Sequence, residues 1–399
     1  MMKILLLTPR IPYPLRDGGA IAMNQTIEGL IEAGCEVHLL AMNTARHWVD
    51  PQSLPPVYQQ LKGLETVFVN NSINPLSAFL NLFTDKSYNI SRFEQKEFTQ
   101  QLKALLQKHV FDVVFFESIY TSPYLKTVKE YGSVQCVCRV HNIEHQIWQH
   151  LANNEKSFLK KKYLHLLTSR LKQYELDILK RFDALLPISM KEFGFLEQLN
   201  PGKCLYLPFG VESDKNLPEV RCEKKSCYHI GSMDWAPNVE GVEWFLQEVW
   251  QPIKQTLPDI TFYVAGKNMP ANLMSKRDAQ IEVVGEVEDF VHFSLSKNIL
   301  IVPLRSGAGV RIKILEAMAM GKTIISTSMA LEGIAAIHEK HVMIADTPED
   351  FQACIHRCFQ DEEFATHLGE NAREFVLLNF NRQRIYHHLL QQLKNLLRI

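Results

Sequence analysis

Motifs that pair metal-binding or redox side chains are missing from this sequence. None of its eight cysteines forms a C-x-x-C pair, and no Asp-x-Asp pair occurs. Structural zinc sites use closely spaced cysteines, and hard divalent cations prefer clustered carboxylates. We therefore expect no metal and no cofactor. The cysteines are interpreted as free thiols in a reducing compartment.

Long apolar runs and a strong net charge are missing as well. No stretch approaches the roughly 18 apolar residues of a membrane-spanning helix, and the apolar run before Thr8 is too short for a signal-peptide core. The formal net charge is −1, so no whole-molecule field recruits nucleic acid. These features predict a cytoplasmic protein with no nucleic-acid partner. The Lys- and Arg-rich segment 156–182 is interpreted either as a solvated helix or as a helix that attaches the protein to an anionic membrane surface. In the second case the protein would lie at the inner face of the membrane.

Short apolar segments alternate with helical patterns along the chain. KILLLT (3–8), DVVFFES (112–118) and NILIVPL (298–304) are continuously apolar, which is typical of parallel strands buried on both faces. The Pro- and charge-rich segment 207–225 interrupts the alternation and is interpreted as a linker. We predict an α/β fold with two Rossmann-like, doubly wound parallel-sheet domains facing across a cleft.

A glycine-rich turn leads into an apolar helix at SGAGVRIKILEAMAMGK (306–322). The preceding strand ends at Leu304, and the helix is predicted to start near Val310. Such turns are typical of phosphate sites, because the first N–H groups of a helix favour anions. The alternative is a turn that needs glycine for its geometry alone. The candidate phosphate-site residues are Gly307, Gly309, Val310, Arg311, Lys313 and Glu316.

The side chains of this motif restrict the class of ligand that it could bind. Arg311 and Lys313 add positive charge, and Glu316 can accept two hydrogen bonds from a ribose diol. The pattern GAGVRI also resembles a dinucleotide fingerprint, but Ile312 stands where the third glycine belongs. That substitution counts against the alternative of an NAD-dependent oxidoreductase.

Three other segments follow predicted strands, and ligands in open α/β sheets bind at the carboxyl ends of strands. Gly18 and Gly19 open a helix after the loop 8–20 and form a second candidate anion site, unless they are only a flexible connector. His141 can orient a hydroxyl or donate to an oxyanion, unless it only bonds backbone. The further candidates are Glu117, Arg16, Asp234, Trp235 and Asn238, the last three preceding a helix that they would otherwise only cap.

These segments together resemble family 4 glycosyltransferases of the GT-B fold. In the second half the resemblance is carried by HIGSMDWAPNVEGVEWFL (229–246), GEVEDF (285–290), ILIVPLRSGAGVRIKILEAMAMGKTIISTS (299–328) and LEGI (331–334). In the first half it is carried by KILLLTPRIPYPLRDGGA, DVVFFES and CRVHN. It covers nearly the whole chain.

The resemblance implies a glycosyltransferase with a UDP- or GDP-sugar donor, no metal, and retention at the transferred sugar. The acceptor would be a glycan, a lipid-linked or a small-molecule hydroxyl, in glycan or polysaccharide biosynthesis. An acceptor-side domain would span 1–207 and be joined by the C-terminal helix 381–399, with a donor domain over 208–380. Glu316 would bond the donor ribose, the Gly18–Gly19 loop would approach the diphosphate, and His141 would be the active-site histidine.

The sequence also departs from the family pattern. The family usually has two glutamates eight positions apart, and the first is Ala308 here. A common basic pair is replaced by Ser232 and Met233. We hypothesise that Arg311 and Lys313 supply the missing phosphate charge, as in a GVR-x-K branch lacking the first glutamate. A nucleotide-sugar 2-epimerase and a non-catalytic nucleotide-sugar binder remain alternatives.

Overall fold

The computed structural model describes residues 1–15, 17–72, 80–212, 217–307 and 309–398. The chain divides into two compact units. The first unit contains Met1–Phe209 together with Gln383–Ile399, and the second contains Gly210–Arg382. In these described ranges, no helix combines the length and apolar character needed to cross a bilayer.

The first unit is built on a six-stranded parallel sheet with the strand order β3-β2-β1-β4-β5-β6. Its strands are β1 Lys3–Thr8, β2 Glu36–Thr44, β3 Gly63–Val69, β4 Val113–Glu117, β5 Gln135–Val140 and β6 Ala184–Pro187. Its helices are α1 Gly18–Glu32, α2 Tyr88–Ser91, α3 Lys96–Lys108, α4 Leu125–Lys129, α5 Glu144–Asn154, α6 Phe158–Leu179, α7 Met190–Leu199 and α15 Arg382–Leu397.

Both faces of this sheet are buried, which explains the continuously apolar strands. Leu5 and Leu7 of β1 lie in the core cluster on one face. Ile4 and Leu6 lie in the cluster on the other face. Successive side chains of a strand point to opposite faces, so a strand covered on both sides needs apolar residues at every position.

The second unit repeats the plan, with the strand order β12-β11-β10-β7-β8-β9. Its strands are β7 Glu223–Ile230, β8 Thr261–Ala265, β9 Ile281–Gly285, β10 Lys297–Val302, β11 Thr323–Ser326 and β12 Met343–Ile344. Its helices are α8 Ala236–Trp244, α9 Trp250–Thr256, α10 Ala271–Met274, α11 Phe290–Leu295, α12 Ile312–Ala319, α13 Pro348–Gln360 and α14 Glu362–Asn379. The predicted α/β class with two doubly wound parallel sheets is confirmed.

One helical pattern in the sequence is interrupted in the structure. The segment from Asn238 to Gln255 has the pattern of a single helix, but a π-helical turn over Phe245–Val249 separates α8 from α9. Pro252 follows this turn and has no N–H for the carbonyl four residues earlier. The interruption therefore lies where the regular hydrogen-bond ladder could not continue unbroken.

Candidate functional site

The second sheet reverses its strand order between β10 and β7, which are hydrogen-bonded neighbours. The chain leaves β7 at Ile230 towards α8 and leaves β10 at Val302 towards α12. In open α/β sheets the crevice at such a reversal is the usual ligand site. Both motifs of the second unit, residues 229–241 and 306–322, follow these two strands.

The glycine-rich turn before α12 needs its glycines. Gly307 has φ +104° and Gly309 has φ +92°, in the left-handed region that glycine adopts without a steric penalty. The helix begins at Ile312 with Arg311 as the N-cap residue, two residues later than the predicted start near Val310. Ala308, between the two glycines, lies outside the described residues.

Arg311 stacks on an aromatic side chain from the other motif. Its guanidinium lies 4.7 Å from the centre of the Trp235 ring. Gly307 faces the same indole, since a Cβ built on it would lie 2.6 Å from Trp235 Cζ2. The two strand-end loops of the second unit therefore meet at Trp235, and Arg311 is buried there.

Lys313 connects α12 to the end of β7. Its Nζ donates to Ile230 O and Asn238 Oδ1, each at 3.0 Å, and lies 3.4 Å from His229 Nε2. His229 Nδ1 lies 2.9 Å from Ile301 O. Because a carbonyl oxygen only accepts, Nδ1 carries the ring proton and Nε2 is an acceptor for the lysine.

The charges of this cluster are electrostatically unfavourable as they stand. Burial, with a smaller contribution from the Arg311 charge, lowers the pKa of Lys313 to about 7. Burial also lowers the pKa of Arg311, which Glu332 partly opposes. The His229 pKa is held well below its usual value by burial and by Lys313, so this imidazole stays neutral. The site therefore brings two cationic side chains, Arg311 and Lys313, close together at the start of α12.

The remaining candidates of the second unit are placed as follows. Asn238 is buried and donates from Nδ2 to Ser232 O at 2.8 Å. Asp234 is exposed, and its carboxylate accepts from Asn268 Nδ2 at 2.7 Å. Glu316 is half-buried in the second turn of α12. Trp235 and Asn238 thus join Arg311 and Lys313 in one cluster, whereas the Asp234 carboxylate accepts from Ser232 in its own loop and from Asn268 in the loop after β8.

The first unit has its own pair of strand-end residues. Glu117 ends β4 and His141 follows β5, its neighbour in the sheet. His141 Nε2 lies 2.6 Å from Glu117 Oε2. The Glu117 carboxyl is fully buried and His141 is half-buried. The sequence prediction named both residues but did not pair them, and the structure brings them into one hydrogen-bonded dyad.

Arg139 favours the ionised form of the Glu117 carboxyl in this dyad. Its Nη1 lies 3.7 Å from Glu117 Oε1 and donates to Ala22 O and Thr26 Oγ1. Burial alone would raise the pKa of the Glu117 carboxyl, but Arg139 and His141 together hold it below its usual value. An ionised carboxylate only accepts, so His141 Nε2 carries a proton and Nδ1 is the nitrogen left for a further partner.

The glycine pair of the first unit opens α1, as predicted, but its helix end is capped by an acid. Asp17 is the N-cap residue and accepts from Ala20 N at 3.0 Å. Asp17 also forms an ion pair with Arg10. Gly19 lies beside this pair, and Gly18 is exposed. Arg16 lies outside the described residues.

Glu175 of α6 holds the segment that follows His141. Its Oε1 accepts from Glu144 N at 2.8 Å, and its Oε2 accepts from His145 N at 2.9 Å. His145 Nδ1 lies 2.7 Å from the same Oε2. The carboxylate is fully buried and satisfies the first N–H groups of α5, as a side-chain cap does.

The sequence interpretation missed Arg139, Glu175 and His229. Arg139 lies between Cys138 and Val140, and His229 lies between Tyr228 and Ile230. A polar side chain between apolar neighbours near the end of a strand is a signal that it has a buried partner. Glu175 lies four residues after Leu171 and three before Ile178, on the buried side of α6. A carboxylate at the spacing of the buried apolar residues of a helix likewise indicates a buried partner.

Metal ligation has no support in the part of the chain that the structure describes, where no three His, Cys, Asp or Glu side chains are grouped for it. Independence from metal stays a prediction.

Comparison with known proteins finds similarity to one family in the second unit and to one relative over nearly the whole chain. Residues 224–361 match the family model described as "Glycosyl transferases group 1". The matched residues lie entirely within the second unit. Over 98% of this chain and all of the relative, the sequence is 23% identical to an uncharacterised 44.6 kDa protein in the cps region of Klebsiella pneumoniae.

Solved structures share the architecture over nearly the full length. Sucrose-phosphate synthase from Thermosynechococcus elongatus is 16% identical with a TM-score of 0.70, covering 99% of both chains. Anabaena HepE in complex with UDP-glucose is 13% identical with a TM-score of 0.65, covering 99% of this chain and all of the other. WaaG, a glycosyltransferase involved in lipopolysaccharide biosynthesis, is 13% identical with a TM-score of 0.61, covering 98% of both chains. The fold is the GT-B fold.

Proposed function

We propose that this protein is a glycosyltransferase that moves a sugar from a nucleotide-diphosphate sugar to a hydroxyl acceptor, with retention and without a metal. The similarity of residues 224–361 to the family model described as "Glycosyl transferases group 1" supports the reaction class. The UDP-glucose bound by HepE supports a nucleotide-sugar donor. Whether the donor nucleotide is UDP or GDP is to be tested. WaaG supports a role in glycan or polysaccharide biosynthesis.

The observation that carries the proposal is the start of α12. Arg311 is its N-cap residue, Lys313 lies in its first turn, and no acidic residue lies in that turn. A helix N-terminus carries partial positive charge, so cations there are disfavoured unless an anion is present. Helix α13 shows the ordinary solution, with a Thr347 capping box and Glu349 and Asp350 in its first turn. A diphosphate at the start of α12 would lie beside the positive helix end, Arg311 and Lys313.

The other candidates then take distinct roles. Glu316, in the second turn of α12, is proposed to bond the ribose. In the first unit, the Glu117–His141 dyad is proposed to orient or polarise the acceptor hydroxyl, since His141 is fixed by a buried carboxylate. Gly18 and Gly19 are proposed donor contacts. We nominate no side-chain nucleophile, and neutralising the leaving diphosphate would provide most of the catalysis.

The acceptor is proposed to be a glycan, a lipid-linked saccharide or a small-molecule hydroxyl. A lipid-linked acceptor lies in a membrane, and the enzyme would then work at the cytoplasmic face of that membrane. A cytoplasmic location with peripheral membrane contact therefore accompanies the proposal.

A thermal-shift panel tests the donor class. The full chain is heated with UDP, GDP, dTDP, ADP or NAD, with and without Mg²⁺, because a ligand that binds the native state raises Tm. We expect one nucleoside diphosphate to raise Tm equally in both conditions. A shift that requires Mg²⁺ would contradict metal independence, and a shift with NAD alone would replace the transferase by an oxidoreductase.

Variants then test the diphosphate site. Arg311→Ala should weaken binding of the nucleoside diphosphate more than binding of the monophosphate, because one phosphate contact is lost. Glu316→Ala should weaken both, because the ribose is common to them. Arg305→Ala is the control, since Arg305 is exposed in the same turn and stacks on Trp244 instead. Equal losses in Arg311→Ala and Arg305→Ala would contradict the proposed phosphate contact.

A further inference from the structure

Helices α5 and α6 form a hairpin in the first unit, connected by residues 155–157. The helices contact each other near the turn, where Lys161 Nζ donates to Asn153 O at 2.9 Å. Gln149 Nε2 and His165 Nδ1 lie 3.2 Å apart one turn further from the tip. The hairpin tip, defined here as residues 151–162, is thus an ordered structure.

The hairpin tip exposes large apolar side chains. Phe158 is 66% exposed, Leu159 is 78% exposed and Leu151 is 51% exposed. Within Phe158–Leu166, all of which are described, no residue is buried, and burial on α6 begins at Leu167. A scattered exposed leucine is ordinary, but three exposed apolar side chains at one end of a hairpin indicate a surface that is covered in use.

The same tip is strongly basic. Residues 151–162 contain Lys156, Lys160, Lys161 and Lys162 against a single acid, Glu155. Lys160 pairs with Glu155 at 2.5 Å. Lys162 Nζ lies 4.5 Å from the centre of the Phe158 ring, so positive charge and apolar surface are interleaved rather than on separate faces.

We propose that the hairpin tip docks the protein on an anionic lipid surface, with Phe158 and Leu159 entering the interface and the lysines contacting lipid phosphates. Exposed apolar side chains beside lysines have this amphipathic character, and the lysine stems let the charges stay at headgroup level. Apolar side chains interleaved with lysines match a lipid interface, where anionic headgroups lie directly beside an apolar interior, whereas an acidic protein surface would match the lysines alone. The proposal does not depend on the glycosyltransferase reaction.

Vesicle co-sedimentation of the full chain tests this docking. Vesicles of phosphatidylcholine alone are compared with vesicles that also contain phosphatidylglycerol, at low and high salt. We expect binding to the anionic vesicles that falls as salt is raised, because lysine contacts are screened. Equal binding to both vesicle types, or binding to neither, would overturn the proposal.

Two variants locate the contact. Phe158→Ser combined with Leu159→Ser should reduce binding to anionic vesicles roughly tenfold, and Lys160→Glu combined with Lys162→Glu should reduce it at least as much. Leu378→Ser is the matched control, since Leu378 is 64% exposed on a helix of the second unit. All substituted side chains are exposed, so unchanged Tm values confirm folding. Wild-type binding by the Phe158/Leu159 variant would refute the assignment, and competition by an acidic peptide without any lipid binding would assign the tip to a protein.

Discussion

Gly307 and Gly309 share a left-handed backbone but have different surroundings. Gly307 lies against the Trp235 ring, whereas a Cβ on Gly309 would meet nothing within 4 Å. The pair therefore separates the cost of the backbone conformation from the cost of crowding.

Replacing each glycine by alanine should give two different losses of stability. Gly309→Ala should cost about 1–2 kcal/mol, from the left-handed backbone alone. Gly307→Ala should cost about 1–3 kcal/mol more, because its Cβ overlaps Trp235 and displaces the ring under Arg311. Urea denaturation of both variants measures the difference, and equal losses would mean that the indole moves aside freely.

Lys313 makes nucleotide affinity depend on pH. Its pKa is lowered from 10.5 to about 7, so the amine loses its charge as pH rises above neutrality. A diphosphate beside it favours the charged form. Affinity for the nucleoside diphosphate should therefore fall between about pH 7 and pH 9 in the wild type and change much less in Lys313→Met, as measured by calorimetry.

The stability of the unliganded protein should change in the opposite direction over that window. The unfolded chain keeps the Lys313 proton up to its ordinary pKa, whereas the folded chain releases it earlier. The unfolded state then binds more protons, so this residue makes the free energy of unfolding rise with pH. A wild-type profile parallel to that of Lys313→Met would show that Lys313 does not titrate here.

At the residue scale, the sequence predicted which side chains lie at the ends of strands, but it did not predict their hydrogen-bond partners. His141 and Glu117 were identified because they follow buried strands, and parallel strands end at one edge. That Lys313 bonds Ile230 and Asn238 depends on how α12 and α8 leave the sheet. Such contacts join side chains about 75 residues apart in the chain, and no local pattern encodes them.

Among the elements, α5 depends on a carboxylate from another helix. Glu175 accepts from the first N–H groups of α5 and bonds His145, directly after the catalytic candidate His141. Burial, together with the Glu175 charge, raises the pKa of Glu144 to about 7, and a bond from Tyr120 opposes this. A buried polar network thus holds the start of α5, beside the core contacts of its N-cap residue Ile143.

Glu175→Gln should weaken the hydrogen bonds at the start of α5 while keeping the side-chain volume nearly unchanged. An amide NH₂ replaces one accepting oxygen, which should cost about 2–3 kcal/mol in the free energy of unfolding. If His141 acts on the acceptor, kcat should fall roughly tenfold with KM little changed. Asp177→Asn is the control, since Asp177 is exposed on the same helix and loses the same charge. A matching fall in the control would remove the positioning role.

Helices and strands were predicted best where a single sequence pattern, such as an apolar run, determines them. β1 is Lys3–Thr8, as the apolar run indicated. The helix after β10 begins two residues later than predicted, because Gly309 has a left-handed backbone and the N-cap residue Arg311 an extended one. The π-helical turn over Phe245–Val249 was missed, since the apolar periodicity continues through it.

At the scale of the whole molecule, the chain returns to its first unit after completing the second. Helix α15 places Tyr386, Leu389 and Leu393 in the same core cluster as Ile27 and Leu30 of α1. The resemblance to GT-B enzymes implied this crossing, whereas composition and periodicity gave only an amphipathic helix without a strand. The partner of such a helix cannot be read from its own sequence.

Leu393→Ala should destabilise the first unit although it lies near the end of the sequence. The side chain is fully buried, so its truncation should cost about 2–5 kcal/mol. Leu378→Ala, at an exposed position of α14, should stay within about 0.5 kcal/mol. Thermal unfolding followed by calorimetry compares them, and similar Tm values for the two variants would show that α15 contributes little.

The packing of α15 also sets an order of assembly during synthesis. Tyr386 lies over Gly29, where any Cβ would overlap its ring, so the groove on α1 is shaped for a segment made more than three hundred residues later. A ribosome that has released residue 382 has released the whole second unit, yet the first still lacks one of its core helices. The unit translated first is therefore the last to be completed, and its α1 groove is the surface that a chaperone would meet on the nascent chain.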